Sequence, residues 1–272
     1  MEKGKKKKNL LKVVFFLPFL VSPFLLNLFI LFLIFLQPFL SYASESNSTP
    51  RDLKTIVIDP GHGGSDKGGE GRDGILEKDI ALQISMSLKK KIADKMKLNV
   101  VVTRDKDYDV PLEKRVTIAN AGNGDLFISI HTGSAHSDEL SGIGIYYLDY
   151  EGVGNESGEI NAGDIEDEKK DVEVILKDMA RSDYVNEGAR LSELLQKNLT
   201  DIIPDQKIIL KPAPISILKD VNMPSVLIEA GNITNNEDVK RLKDREYINK
   251  IADAILNSIK DYSGADEKGN LK

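Results

Sequence analysis

Residues 13–40 contain no charged side chain, in a chain that is 29% Asp, Glu, Lys and Arg. So long an apolar run cannot be a solvated surface element, and it divides the chain into an N-terminal segment and a body that must fold without it. Lys3, Lys5, Lys6, Lys7, Lys8 and Lys12 precede the run, and Ser41 and Ala43 place small residues where a signal peptidase reads. The run reaches the roughly 20 residues that span a bilayer and exceeds the ~7–15 of an ordinary cleavable core. Pro18, Pro23, Asn27 and Pro38 interrupt it and favour cleavage over retention. Residues 1–43 are read as a signal peptide or an N-terminal membrane anchor. Either way the body is exported, to the periplasm or cell envelope, and meets membrane only through this segment.

Residues 1–43 carry six of the basic residues and one of the acidic ones, which leaves 31 basic against 42 acidic residues in the body, a net charge of −11. Such a body repels polyphosphate, so nucleic acid is excluded as a partner. Cysteine is absent. An exported fold of this kind has no disulfide and rests on its core, for which about 220 residues suffice. A thiol nucleophile and a cysteine zinc site are both excluded.

Residues 44–53 are rich in Ser, Asn, Thr and Pro near their start and read as a linker. The spacing then predicts a strand over 55–59, a helix over 78–92 with Ile80, Ile84, Leu88 and Ile92 on one face, and a strand over 99–103. A short helix over 112–121 and strands over 126–130 and 143–148 follow, each bounded by Gly or Asp. A helix from about 187 to 199, strands near 215–218 and 225–229, and a terminal helix over 247–262 complete the pattern. Strands alternating with helices define the class as α/β, a mostly parallel twisted sheet with helices on both faces, over residues 54–263. Residues 264–272 read as a disordered tail. Between Asp149 and Glu173, ten acidic residues stand against Lys169 and Lys170, with Gly152, Gly154, Gly158 and Gly163 breaking any period. Residues 149–185 are therefore an acidic insertion, a loop followed by a helix.

In parallel sheets functional groups gather beyond the carboxyl ends of the strands. His62 follows the first strand in "IVIDPGHGG", His131 follows "LFISI", Glu229 ends "SVLI", and Glu77 starts the helix after the first strand. Two imidazoles and one carboxylate form a common catalytic zinc set that leaves a fourth position for water, and a second carboxylate can then serve as base. Each residue also has a plainer reading. A lone histidine in a glycine turn is ordinarily a turn residue, and Glu77 would favour its helix dipole in any case. The weight comes from two of only three histidines terminating separate strands, with acids at the ends of neighbouring elements. His136, in a polar loop, reads as a solvated side chain. Asp59 reads as an acceptor for the following turn and a support for the site.

Three blocks, "IVIDPGHGGSDKGGEGRDGILEKDIAL", "LEKRVTIANAGNGDLFISIH" and "MPSVLIEAGNITNNEDVKRLKDREYINKIADAI", resemble in order the zinc-dependent N-acetylmuramoyl-L-alanine amidases of the amidase-3 family. The resemblance covers residues 54–262. It implies a Zn2+ cofactor held by His62, Glu77 and His131, a catalytic Glu229, and peptidoglycan as the substrate, cleaved between N-acetylmuramic acid and L-alanine. Two positions depart from the family pattern: Gly133 stands where Asn is usual, and Asn232 where Phe is usual. Neither is an implied metal ligand. Residues 171–195 also look like the part of cell-division amidases that holds an inhibitory helix over the zinc until a LytM-type activator removes it. A zinc exopeptidase and a catalytically inactive wall-binding regulator are the rival readings; the second requires a missing ligand or base, and all four residues are present.

Overall fold

The computed structural model describes residues 51–71, 73–134, 140–149 and 168–264, all within one unit of the chain, residues 50–272. The readings of 1–43 as an export segment, of most of the linker, of His136, of the acidic loop 150–167 and of the tail from 265 lie outside the described residues.

The elements are β1 (Thr55–Pro60), α1 (Glu77–Lys95), β2 (Asn99–Val102), α2 (Leu112–Ala121), β3 (Leu126–Gly133), β4 (Ile143–Tyr147), α3 (Glu168–Ile202), β5 (Ile208–Pro212), α4 (Ser216–Asp220), β6 (Ser225–Asn232), α5 (Asn236–Leu242) and α6 (Arg245–Ser263). They build one six-stranded sheet in the order β2-β1-β3-β6-β4-β5. β2, β1, β3 and β6 run parallel, whereas β4 is antiparallel to β6 and carries β5 parallel to itself. Continuous burial explains the parallel half. All six residues of β1 are buried, as expected of β-branched runs covered on both sides.

The two sides are set by the pleat. Ile56, Ile58, Ile128, Ile130 and Ile228 face Ile84 and Leu88 of α1, Leu191 and Leu195 of α3, and Ile251 and Ile255 of α6. Val57, Phe127 and Leu227 face the opposite way, against Ala119 of α2 and Ile217 and Leu218 of α4. Each fully buried Ile or Leu contributes about 1.5–3 kcal/mol through area removed from water. Helices thus cover both faces, and the buried strands fix where each strand end emerges.

Residues 215–218 correct the sequence expectation of a strand: they open the helix α4, where Ile215 O accepts from Leu218 N and Lys219 N at 3.1 and 3.3 Å. A short apolar run does not distinguish strand from buried helix. Here Ile217 and Leu218 bury one side of a single turn, and the edge position is taken by β5, whose "IILKP" is only half-buried. α3 also starts well before residue 187. Its later turns bury Leu191, Leu195 and Leu199, while Val172, Ile175, Leu176 and Met179 near its start are each more than half exposed.

Candidate functional site

The turn after β1 carries backbone that few side chains adopt. His62 has φ 57°, in the left-handed region, a conformation that costs a non-glycine residue about 1–2 kcal/mol and persists only where its surroundings hold it. Two buried arginines do so. Arg104 donates to Pro60 O, Gly61 O and Lys78 O; Arg115 donates to Pro60 O and His62 O and pairs with Asp59 at 2.8 Å. Asp59, 1% exposed, also accepts from Thr103 Oγ1 at 2.5 Å and Ser129 Oγ at 2.9 Å. It therefore supports the His62 turn through Arg115. Glycine is required where the groups converge: a Cβ at Gly61 would lie 2.3 Å from the His131 ring, and one at Gly68 would lie 2.6 Å from His62 and 2.7 Å from Glu77.

The structure brings His62, Glu77 and His131 together, with one ligand atom from each lying within 4.8 Å of the others. Glu77, the first residue of α1, is 4% exposed. Its Oε1 lies 2.8 Å from His131 Nδ1 and 3.2 Å from His62 Nε2. Gly69 N donates to Oε2 at 2.8 Å and Thr132 N to Oε1 at 3.0 Å. Burial alone would push the Glu77 carboxyl up, but hydrogen bonds to His131 and His62 outweigh it and hold the carboxyl far below its ordinary range. The imidazoles stand edge to face, 5.0 Å apart at 79°. His62 Nδ1 meets Asp66 Oδ2 at 2.8 Å, an arrangement that fixes the tautomer and turns Nε2 toward Glu77. Two imidazole nitrogens and a buried, anionic oxygen at this spacing fit the donor set of zinc.

Glu229 stands in register with His131 on the neighbouring strand, is half-buried, and accepts from Tyr146 Oη at 2.8 Å. A cleft of about 490 Å³ opens over His62 and His131, bounded by Asp66 and Arg115 and by apolar Val110 and Ile217. The two departures at 133 and 232 have local explanations. A Cβ at Gly133 would lie 3.2 Å from Glu229 Oε2. Asn232 ties the end of β6, donating to Leu140 O at 2.8 Å and accepting from Thr234 N at 3.0 Å.

Asp66, Arg104, Arg115 and Tyr146 were not foreseen from the sequence. An acid four residues after His62 in a glycine loop is a readable signal for Asp66. Arg104 and Arg115 sit in polar surroundings that read as surface, and only the fold buries them.

A mainly parallel α/β sheet with a His/Glu/His cluster and a further carboxylate at its strand ends defines the class. The family model for N-acetylmuramoyl-L-alanine amidase matches residues 56–261, so the chain belongs to that family. It is 30% identical over 217 residues to AmiC, an N-acetylmuramoyl-L-alanine amidase of Escherichia coli O6:H1, covering 76% of this chain and 52% of the relative, so it spans about half of that protein. It is 34% identical to the uncharacterised protein YqiI of Bacillus subtilis, covering 78% of this chain and 86% of YqiI. Among solved structures, the amidase AmiC2 of Nostoc punctiforme superposes with a TM-score of 0.61 at 32% identity, over 77% of this chain and 96% of that one.

Proposed function

We propose that this chain hydrolyses the amide between N-acetylmuramic acid and L-alanine of peptidoglycan, using zinc held by His62, Glu77 and His131. The observation that supports this most is the convergence of those three side chains within 4.8 Å, beside Glu229, in a member of the amidase family. Zinc bound there would supply Lewis acidity, polarising the carbonyl and lowering the pKa of its water toward about 7. Glu229 accepts the proton of the attacking water and returns it to the leaving amine. Asp66 orients the His62 imidazole, and Arg115 and Asp59 keep the His62 turn closed.

The test is incubation with purified sacculi, with and without chelator and with zinc restored. The expected product is soluble stem peptide with a free alanine amine, lost on chelation and recovered with zinc. Cleavage of free peptides but not sacculi would favour the exopeptidase reading, and chelator-insensitive release would remove the metal.

We further propose that residues 1–43 export the body to the cell envelope and that the 149–185 insertion restrains the site until a LytM-type activator binds, in wall remodelling or daughter-cell separation. The exposed apolar stripe Val172, Ile175, Leu176 and Met179 supports a partner at the start of α3. Val185 belongs to the core, so deletion of 150–179 spares it. That deletion should raise activity on sacculi; an unchanged rate in a folded deletion variant would count against restraint.

A further inference from the structure

Tyr146 is set against Glu229 by an arrangement too specific for simple packing. In the antiparallel pair of β4 and β6, Gly144 stands opposite Glu229, and Tyr146 opposite Leu227. The phenol therefore reaches the carboxylate from two residues further along the strand, on the same face. It does so by lying back over Gly144: a Cβ there would sit 2.7 Å from Tyr146 Cε2 and 2.9 Å from its Oη, distances that real Cβ atoms do not show. The Lys211 ammonium stands 5.2 Å from the centre of the same ring. Burial, then the hydrogen bond to Glu229, push the Tyr146 phenol well above its ordinary value. The hydroxyl accordingly keeps its proton as a donor at working pH.

We infer that Tyr146 is a positioning residue for the base Glu229, with Gly144 providing the space in which its ring lies. The inference rests on the proposed reading of Glu229 as base. Tyr146 Oη donates to Oε2 at 2.8 Å, which fixes the carboxylate's rotation and leaves Oε1 with lone pairs for the attacking water. Gly133 bounds Oε2 as well, since a Cβ there would lie 3.2 Å from it. The phenol itself neither gains nor loses a proton during turnover.

The experiment is a double-mutant cycle on purified sacculi with Tyr146→Phe, Glu229→Gln and the pair, each checked for folding and zinc content. Tyr146→Phe removes the donor and keeps the ring. It should lower kcat about 10-fold to 100-fold, the range set by a hydrogen bond to a charged group, with KM and zinc content unchanged. In the Glu229→Gln background the same change should cost nothing further, because its effect passes through the carboxylate. Gly144→Ala, which displaces the ring while leaving the hydroxyl in the chain, should reproduce the kcat loss. A Tyr146→Phe enzyme at the wild-type rate, or one whose loss is undiminished in the Glu229→Gln background, overturns the inference while leaving Glu229 as base. A Glu229→Gln enzyme at the wild-type rate is a different result: it removes the base and the inference with it.

Discussion

The four parallel strands and the two reversed ones serve the cleft in opposite ways. β1 and β3 bring His62 and His131 to it near their carboxyl ends, and β6 sets Glu229 in register beside His131, since in a parallel sheet these ends all emerge together. β4 meets those ends at its beginning, because it runs against β6. Its side chain Tyr146 reaches Glu229 by folding back over Gly144. Strand direction thus decides which region supplies the donors and which adjusts them. The support differs as well. Behind His62 lies a buried network of Asp59, Arg104 and Arg115, whereas on the reversed side the Tyr146 ring has the exposed edge residue Lys211 beside it.

The largest effect expected from this contrast is at Glu229, the proposed base. Glu229→Gln should lower turnover on sacculi by about 10²–10⁴, the usual share of general acid–base catalysis, while metal content stays at the wild-type level. A variant with near-normal turnover would strip the parallel half of its second carboxylate. Next comes Asp59→Ala, which strands the Arg115 guanidinium in the interior. Unfolding in denaturant should show a loss of about 3–5 kcal/mol, the cost of breaking a buried pair; a loss no larger than that of an exposed pair would show that the network does not carry the turn.

A smaller effect distinguishes the two states of the proposed metal site. In metal-free protein the hydrogen bond to Glu77, opposed by burial and reinforced by Asp66, raises the His62 pKa above its ordinary 6.5. A raised pKa stabilises the fold fully below about pH 6.5, and that contribution is lost as pH climbs through the raised value. Chelated protein should therefore melt at a lower temperature near pH 9 than near pH 6, while zinc affinity moves the other way because the metal displaces the proton. Parallel trends in the two measurements would contradict the geometry at His62. Smallest of all is the reversed edge: Lys211→Ala removes one cation from the Tyr146 ring and should cost about 0.5–1 kcal/mol of stability, and a loss several times larger would make the edge as structural as the core.

The same contrast explains what could be read from the sequence. Strands buried on both faces appear as unbroken apolar runs, so "TIVID" and "LFISI" marked β1 and β3 and left His62 and His131 standing at their ends. The helix α2 was legible to the residue, and α6 nearly so. The edge was not. "IILKP" is short and half-exposed, and the apolar residues 215–218 proved to be a helical turn beneath the sheet. Arg104, Arg115 and Tyr146 owe their roles to neighbours 26 to 83 residues away, which no local pattern encodes. Asp66 lay within reach of a local reading, four residues from its histidine.

His62, Glu77 and His131 are proposed to share a single ion, and metal analysis of the purified chain is the decisive test. One zinc per wild-type chain is expected, retained in Glu229→Gln and lost from folded Glu77→Ala and His131→Ala. Equal zinc in all four proteins, or none in the wild type after incubation with the metal, would contradict it.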